Sequence, residues 1–150
     1  MSEQSVLHAT FTIEREYPVT PAEVFAAWAD PATKARWFAG GSADHELDFR
    51  VDGREVARGV VNGTVITAET VYREIVPDAR LVYTTALSEG AVLATVSVAT
   101  VEFAATDAGT RLTLTEHGAY LDGREKPEWR EQGTGDQLTA LAEVLAAVAK

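Results

Sequence analysis

A succession of strand-like segments between residues 44 and 118 constrains the fold more than any other feature of this chain. Residue combinations typical of turns separate the segments, at positions 52–53, 62–63, 77–78, 88–90 and 107–109. The pair Asn62-Gly63 is the strongest short hairpin signal among them. Because each turn joins segments that follow directly in the chain, the sequence predicts six strands in an antiparallel meander.

A further strand and two short helices are predicted before this series. Residues 10–17 alternate apolar and polar side chains with the period of a half-buried strand. Thr20 and Glu23 have the spacing of a capping box, and a proline lies at the first helical position between them. Asp30 is placed to cap a second helix, which we expect to end at the Gly-Gly pair 40–41.

The segment 127–149 is predicted to be one long helix after the last strand. Its apolar residues recur at helical spacing, at Leu138, Leu141, Ala142, Leu145 and Val148. Gly133 and Gly135 each weaken a helix by about 1 kcal/mol relative to Ala. Because Thr134 and Gln137 resemble a capping-box pair, we expect the helix to bend or restart in this region.

These elements predict an α+β fold. A long antiparallel sheet with one apolar face needs a cover, and the last helix is the only predicted element long enough to provide it. We therefore expect a curved antiparallel sheet of seven strands wrapped around the C-terminal helix, with two short helices between strands 1 and 2. We expect one domain over residues 1–150, with a flexible N-terminal tail at 1–8.

The charge balance excludes several classes of partner. The 150 residues include 13 Lys and Arg against 23 Asp and Glu, a formal net charge of −10, and no Cys. Nucleic acids and anionic membranes bind clustered basic residues, so neither is an expected partner. The lack of Cys excludes disulfides and thiol chemistry. Neither a signal peptide nor a membrane span is recognisable, and we expect a cytoplasmic protein.

No assembled catalytic or cofactor motif is visible. The sequence lacks the common nucleophile, phosphate-loop, dinucleotide and zinc-protease motifs. His8, His45 and His117 are isolated from one another, without the spacing of metal ligands, and surface or strand-end positions explain them. We therefore expect no cofactor and no metal, and a protein that is more readily a binding protein than an enzyme.

Large aromatic residues indicate a ligand pocket. They are numerous for one domain: Trp28, Trp37, Phe38, Phe49, Tyr72, Tyr83, Tyr120 and Trp129. The strand over 93–103 is expected to face the helix with small side chains, which would leave unfilled volume between sheet and helix. Core packing is the alternative explanation for any one aromatic residue. Trp37, Phe38 and Trp129 lie beside glycines or loops, where a pocket mouth is expected.

Glu116 is the acidic residue predicted to point inward. It shares a strand face with Leu112 and Leu114, where an unpaired charge is rare. Arg15 shares a face with Phe11 and Ile13 and is the expected partner if the first and last strands are neighbours. A structural ion pair is one interpretation. A polar anchor for a ligand, or an acid or base with a raised pKa, is the other.

The opposite face of the strand over 93–103 indicates a possible contact surface. Ala94, Val96, Val98 and Thr100 are expected to point away from the helix. Exposed apolar strand faces often mark partner surfaces, so a homodimer contact is one interpretation. Ordinary β-propensity on an exposed face is the other.

Five sequence blocks, in this order, carry a resemblance to a known family: VTPAEVFAAWADPATKARWF (19–38), ELDFRVDGRE (46–55), YREIVPDARLVYT (72–84), ATVEF with GTRLTLTEHGAYLDG (99–103 and 109–123), and REQGTGDQLTAL (130–141). The chain resembles the START-like (SRPBCC) helix-grip superfamily, in its heat-shock-protein-90 ATPase activator homologue-like branch. The resemblance extends over about residues 9–147. It implies a seven-stranded antiparallel sheet that grips the C-terminal helix around a deep cavity.

The resemblance also implies classes of function. Members of the superfamily bind lipids, sterols, polyketides or plant hormones, and a few are cyclases or hydratases. The branch takes its name from a co-chaperone of a large ATPase, so a chaperone partner is implied by the family name, although no motif in this sequence supports it. The cavity-lining positions that match here are Trp37, Phe38, Phe49 and Trp129. Fold alone does not fix function.

The leading prediction is a protein that binds a hydrophobic small molecule between the sheet and the last helix. The predicted ligand-binding residues are Trp37, Phe38, Phe49, Tyr83 and Trp129 as walls, with Glu116 and Arg15 as the polar end. The alternatives are a polyketide-type cyclase, dehydratase or hydrolase that uses Glu116 with His117 or Tyr83, and a co-chaperone or other protein-interaction module.

Overall fold

The fold is the predicted helix-grip fold. The computed structural model describes residues 4–39 and 44–148. Its elements, in chain order, are β1 (Val6–Tyr17), α1 (Pro21–Ala29), α2 (Pro31–Phe38), β2 (His45–Leu47), β3 (Arg54–Val61), β4 (Thr64–Val76), β5 (Arg80–Glu89), β6 (Val92–Thr106), β7 (Gly109–Leu121) and α3 (Pro127–Val148). Among the described residues, no helix is long and apolar enough to cross a membrane.

The sheet joins the first strand of the chain to the last. All seven strands pair antiparallel in the order β1-β7-β6-β5-β4-β3-β2. β1 lies along β7 from the pair Val6 and Leu121 to the pair Tyr17 and Thr110. Residues 6–8, which the sequence places in a flexible tail, therefore belong to the sheet. The rest of the meander follows chain order, as the turn signals predict.

Both short helices begin at the predicted caps. The Thr20 hydroxyl oxygen accepts a hydrogen bond from Glu23 N at 3.2 Å, and Glu23 Oε1 accepts one from Thr20 N at 3.1 Å. The Asp30 carboxylate accepts from Thr33 N at 2.9 Å and so begins α2. These bonds satisfy N–H groups that the first turn of a helix leaves free. The predicted stop at 40–41 lies outside the described residues.

Helix α3 lies across the concave face of the sheet. Leu138, Leu141 and Leu145 are buried, as their spacing predicts. The Tyr17 hydroxyl donates to the carbonyl oxygen of Leu138 at 2.9 Å and ties β1 to this helix. The helix is continuous through Gly133 and Gly135, so the expected restart is wrong. Packing against the sheet stabilises a helix more than intrinsic propensity does.

Small inward side chains on β6 leave space beneath α3. Thr95, Ser97 and Ala99 are buried and face the helix, as the alternation predicts. The larger Val101 and Phe103 fill the other end of the strand, where Phe103 contacts the rings of Phe25 and Trp28. The core is therefore solid at the α1 end of the sheet and open at the other.

The outer face of β6 differs from the expected pattern at one residue. The pairing of β5 with β6 shifts register between Leu87 and Ser88. Ala94, which is expected to point outward, lies beside this irregularity and is buried. Val96 and Val98 do face outward and are 43% and 41% exposed. The possible homodimer contact at these residues stays a prediction.

Candidate ligand cavity

A cavity of about 220 Å³ lies between the sheet and the N-terminal half of α3. Strand β4 contributes Ala68 and Thr70, and β5 contributes Thr85 and Leu87. These inward side chains are small or of medium size, so the curved sheet does not reach the helix here. On the other side, the lining residues of α3 run from Trp129 to Leu138.

Aromatic rings form much of the wall. The rings of Trp28 and Trp37 meet edge to face with centroids 4.8 Å apart, and the ring of Phe38 lies 5.9 Å from that of Trp37. Tyr83 faces them from β5 at 6.4 Å from the Trp28 ring. Trp129 is 59% exposed and lines the cavity from α3. It therefore lies where the cavity meets the surface.

A buried polar cluster occupies one end of the cavity. Lys34 Nζ donates hydrogen bonds to Glu55 Oε1 at 2.9 Å and to the Tyr72 hydroxyl at 3.3 Å. Tyr72 donates to the same carboxylate oxygen at 2.6 Å, and His45 Nε2 lies 2.7 Å from Glu55 Oε2. His45 is the first residue of β2, which is one of the two positions expected for it, but its side chain is buried in this cluster and is 2% exposed.

The cluster perturbs both charged groups. Burial would raise the pKa of the Glu55 carboxyl, but the Lys34 charge and the hydrogen bonds from His45, Tyr72 and Lys34 lower it to about 2. Burial lowers the pKa of the Lys34 ammonium, and Glu55 opposes that shift. With three donors on one carboxylate, the ionised pair is the state that this geometry stabilises.

Aromatic faces surround the buried lysine. Lys34 Nζ lies 4.8 Å from the centroid of Trp28, 5.3 Å from that of Trp37 and 4.5 Å from that of Phe38. The negative faces of these rings attract a cation that has lost its water. Cation–π contacts and the Glu55 carboxylate together explain how a lysine is retained in the interior.

A second polar cluster lies at the α3 side of the cavity. Arg130 forms an ion pair with Glu116 through Nε, and its Nη1 lies 3.3 Å from Glu125 Oε1. Arg130 Nη2 also donates to the Ser97 hydroxyl at 3.0 Å. The Thr95 hydroxyl donates to Glu125 Oε1 at 2.6 Å. One guanidinium group thus holds two carboxylates of different exposure together.

Glu116 is the more deeply buried carboxyl of this second cluster. Its side chain is 6% exposed, and burial raises its pKa although the Arg130 charge and hydrogen bond act to lower it. The negative charge of Glu125 adds to the increase. Counter-charge from Arg130 therefore does not fully compensate the desolvation of this group.

Two buried polar atoms lack partners in the described part of the chain. They are the indole nitrogen Nε1 of Trp28 and the hydroxyl of Tyr120. Trp28 lines the cavity, whereas Trp37 donates its own Nε1–H to the carbonyl oxygen of Ala27 at 3.0 Å. Buried polar groups are rarely left unbonded, so the Trp28 Nε1–H is a donor that a molecule in the cavity could use.

Five of the sequence-predicted site residues line this cavity. They are Trp37, Phe38, Tyr83, Glu116 and Trp129. Phe49 is not among the lining residues, because its ring packs between those of Phe25 and Tyr72 with centroids 5.6 and 5.0 Å away. The interior between α1 and β4 takes up this side chain.

Two further predictions on site residues are wrong. Arg15 does not pair with Glu116, because its guanidinium group bonds to the carbonyl oxygens of Glu14 and Gly135 instead. Strand register places Arg15 opposite Leu112, four residues from Glu116 along β7. His117 faces outward, where it bonds to the Thr10 hydroxyl at 2.6 Å and stacks on His8. It cannot assist chemistry in the cavity.

Sequence patterns leave four charged residues of the site unpredicted. They are Lys34, Glu55, Glu125 and Arg130, of which Lys34 and Arg130 carry a signal. Lys34 precedes Trp37 and Phe38 by three and four residues and so shares their helix face. Arg130 lies eight residues before Leu138 and continues the apolar stripe of α3. A charge on an otherwise apolar helix face could have identified both.

Within residues 4–39 and 44–148, no group of three or more His, Asp and Glu side chains is arranged to hold a metal ion. The three histidines do not form one group. His45 belongs to the Glu55 cluster, whereas His8 and His117 stack on each other on the outer face of the sheet. The site is therefore an aromatic cavity with an ion-paired cluster at each end.

The fold and this cavity define a helix-grip domain, and comparisons with known proteins agree. Residues 18–146 match the family model described as Activator of Hsp90 ATPase homolog 1-like protein. The chain belongs to this family. A search of curated proteins gives no match.

Solved structures extend the likeness over nearly the whole chain. A putative uncharacterized protein from Rhizobium leguminosarum is 35% identical, with a TM-score of 0.93 over 97% of this chain and 99% of that one. Mll3558 from Rhizobium loti is 44% identical, with a TM-score of 0.87 over 93% of this chain and 98% of that one. The crystal structure of Ara h 8.0201 shares the fold at 15% identity, with a TM-score of 0.75 over 93% and 99%.

Proposed function

We propose that this protein binds a small, largely apolar molecule in the cavity between the sheet and α3. The observation that carries the proposal is the cavity itself: about 220 Å³ of space beneath a helix, with aromatic rings in its wall and a polar cluster at each end. Small-molecule sites are built in this way, from apolar walls and a few placed polar groups. The expected ligand-binding residues are Trp37, Phe38, Tyr83, Trp129 and Glu116.

The volume selects the size of the ligand. An apolar cavity of about 150 Å³ encloses one benzene molecule, so the volume here corresponds by proportion to roughly nine non-hydrogen atoms. Sites for drug-sized ligands have about 300–1,000 Å³. The cavity therefore favours a single-ring compound over a sterol or a long acyl chain, of which only a part would be enclosed.

Ligand binding is tested with neutral single-ring compounds such as 2-phenylethanol and 4-ethylphenol. We expect them to raise the melting temperature and to change tryptophan fluorescence, because Trp28, Trp37 and Trp129 all line the cavity. Isothermal titration calorimetry then gives the stoichiometry. One molecule per chain is the expected result, and a lack of binding by every such compound contradicts the proposal.

A matched pair of variants locates the binding site. Ala68 lines the cavity, so Ala68→Phe adds a ring to the space that the ligand needs. Ala104 is exposed on the outer face of β6, so Ala104→Phe adds the same ring away from the cavity. We expect Ala68→Phe to lose binding and Ala104→Phe to retain it. Equal binding by both variants would place the ligand elsewhere.

Proton transfer at Glu116 is a second candidate function, favoured by the perturbation of that carboxyl. Burial raises the pKa of Glu116 above its ordinary value, and this is the direction in which general acids and bases of this type are tuned. Tyr83 lies on the same cavity wall. If a substrate that cyclises, dehydrates or hydrolyses is found, Glu116→Gln should abolish turnover, and full activity of that variant would end this hypothesis.

A further inference from the structure

The charges that line the cavity do not balance. Among its described lining residues, three are acidic and two are basic: Glu55, Glu116, Glu125, Lys34 and Arg130. Lys34 and Glu55 neutralise each other at one end, within a cluster of short hydrogen bonds. The excess of one carboxylate therefore lies at the other end, where Arg130 faces both Glu116 and Glu125.

Each of these two carboxylates keeps one oxygen free of protein partners. Glu116 uses Oε2 for Arg130, and Glu125 uses Oε1 for Arg130 and Thr95. Within residues 4–39 and 44–148, no side chain or backbone group bonds to Glu116 Oε1 or Glu125 Oε2. Neither oxygen belongs to the fully buried atoms that lack a partner. Each therefore keeps some accessible surface that a bound molecule could contact.

A cationic ligand would supply the positive charge that the Arg130 end of the cavity lacks. The Glu116 side chain is only 6% exposed to solvent. Burial of this group raises its pKa, which shows that its charged form is short of stabilising partners. An ammonium group at Oε1 would add an opposite charge in a region of low dielectric. Tyr83 also lines the cavity with an aromatic ring, whereas the ring of Trp129 already has Lys126 Nζ 5.2 Å from its centroid.

We propose that the ligand of this cavity is a small organic amine, whose ammonium group binds between Glu116 and Glu125 while its apolar ring lies against Tyr83, Trp37 and Phe38. This inference rests on the proposed function and narrows it to one chemical class. The rings around Lys34 already hold a cation, which leaves the Arg130 end for the ligand's charge. The net charge of −10 also attracts cations toward the protein.

The test compares three compounds that share one ring and differ in charge: 2-phenylethylamine, 2-phenylethanol and phenylacetate. Each has about the size that the cavity volume allows. Calorimetric titration at neutral pH and low salt should show the amine binding about tenfold or more tighter than the alcohol, as a charge-assisted hydrogen bond implies. Phenylacetate should bind more weakly than the alcohol, because the excess carboxylate repels it.

Charge-removing variants assign the effect to the two glutamates. Glu116→Gln and Glu125→Gln should each lower the ratio of the amine affinity to the 2-phenylethanol affinity about tenfold, because only the amine carries the charge that the carboxylate pairs with. Glu102→Gln is the matched control, because it removes one negative charge from the exposed face of β6. It should leave all three affinities unchanged. Circular dichroism establishes that each variant is folded.

The outcomes separate this inference from the proposed function. Equal affinity for amine and alcohol overturns the amine assignment and leaves cavity binding intact. Tightest binding of phenylacetate also overturns it, in favour of Arg130 as the ligand's counter-ion. Equal loss of amine and alcohol in both Gln variants indicates a structural effect and overturns it as well. Binding of none of the three compounds contradicts the proposed function itself.

Discussion

Lys34 Nζ lies 2.9 Å from Glu55 Oε1, and the two side chains are 2% and 3% exposed. This contact joins α2 to β3, and the other donors to the same carboxylate come from β2 and β4 through His45 and Tyr72. One carboxylate therefore connects a helix to three strands at the far edge of the sheet. The pair holds α2 in place, so that Trp37 and Phe38 form part of the cavity wall.

Removing one partner of this pair should be strongly destabilising. Lys34→Met keeps most of the side-chain volume and leaves Glu55 as an unpaired buried charge, which typically costs about 3–5 kcal/mol. We expect urea denaturation to show a loss of this size. The double variant Lys34→Met/Glu55→Leu should recover much of it, since no charge remains to be desolvated. Strict additivity of the two single losses would contradict a coupled pair.

The acid limb of stability should depend on Glu55. Its pKa is lowered to about 2 in the fold, so the group adds stability above its unfolded pKa, and this contribution is lost as pH falls toward 2. As the pH is lowered from 5 to 2, the melting temperature of Glu55→Gln should therefore fall less steeply than that of the native chain. Glu102→Gln on the exposed face is the control. Parallel pH profiles for Glu55→Gln and the native chain would show that Glu55 has no such role.

Arg130 should set the titration of Glu116. Its charge and hydrogen bond lower the pKa of that carboxyl, against burial and the nearby Glu125. Arg130→Gln should therefore raise the pKa of Glu116 further, as followed by carbon-13 NMR of the glutamate carboxyls. Arg111→Gln, on the exposed face of β7, should leave it unchanged. If the pKa of Glu116 fell in Arg130→Gln instead of rising, this electrostatic assignment would be wrong.

Gly133 should tolerate a methyl side chain, whereas Gly109 should not. A Cβ atom at Gly133 would meet nothing within 4 Å, and the residue lies within α3. Gly133→Ala should therefore raise the free energy of unfolding by about 0.5–1 kcal/mol, the usual gain in a helix interior. At Gly109, φ is +150° and a Cβ would lie 2.2 Å from the carbonyl oxygen of Tyr17. Gly109→Ala should destabilise the protein, and a gain there would contradict this packing.

Local periodicity was sufficient for much of the fold. The Thr20 and Asp30 caps, the turn pairs and the leucine spacing of α3 each involve residues a few positions apart, where sequence and geometry are directly related. Alternation on β7 also placed Glu116 on the buried face. The restart of α3 was wrong because the tertiary contacts of Leu138, Leu141 and Leu145 outweigh the low helix propensity of two glycines.

The site could be predicted only in part, because its charged groups find partners across long stretches of chain. Glu116 is 14 residues from Arg130, and Lys34 is 21 residues from Glu55. Arg15 was a reasonable partner for Glu116, since β1 and β7 do pair. The register of that pairing puts Arg15 opposite Leu112, and this offset separates the two charges.

The sequence by itself determined the order of helices and strands, the antiparallel meander and the side chains that face inward, because period and turn chemistry act over a few residues. Only the tertiary structure decided that Arg130 pairs with Glu116 and Glu125, that Lys34 and Glu55 close the opposite end, and that Phe49 is packed away from the cavity. These outcomes depend on strand register and on the path of α3 over the curved sheet. Both are set by packing of the whole chain, which no local pattern contains.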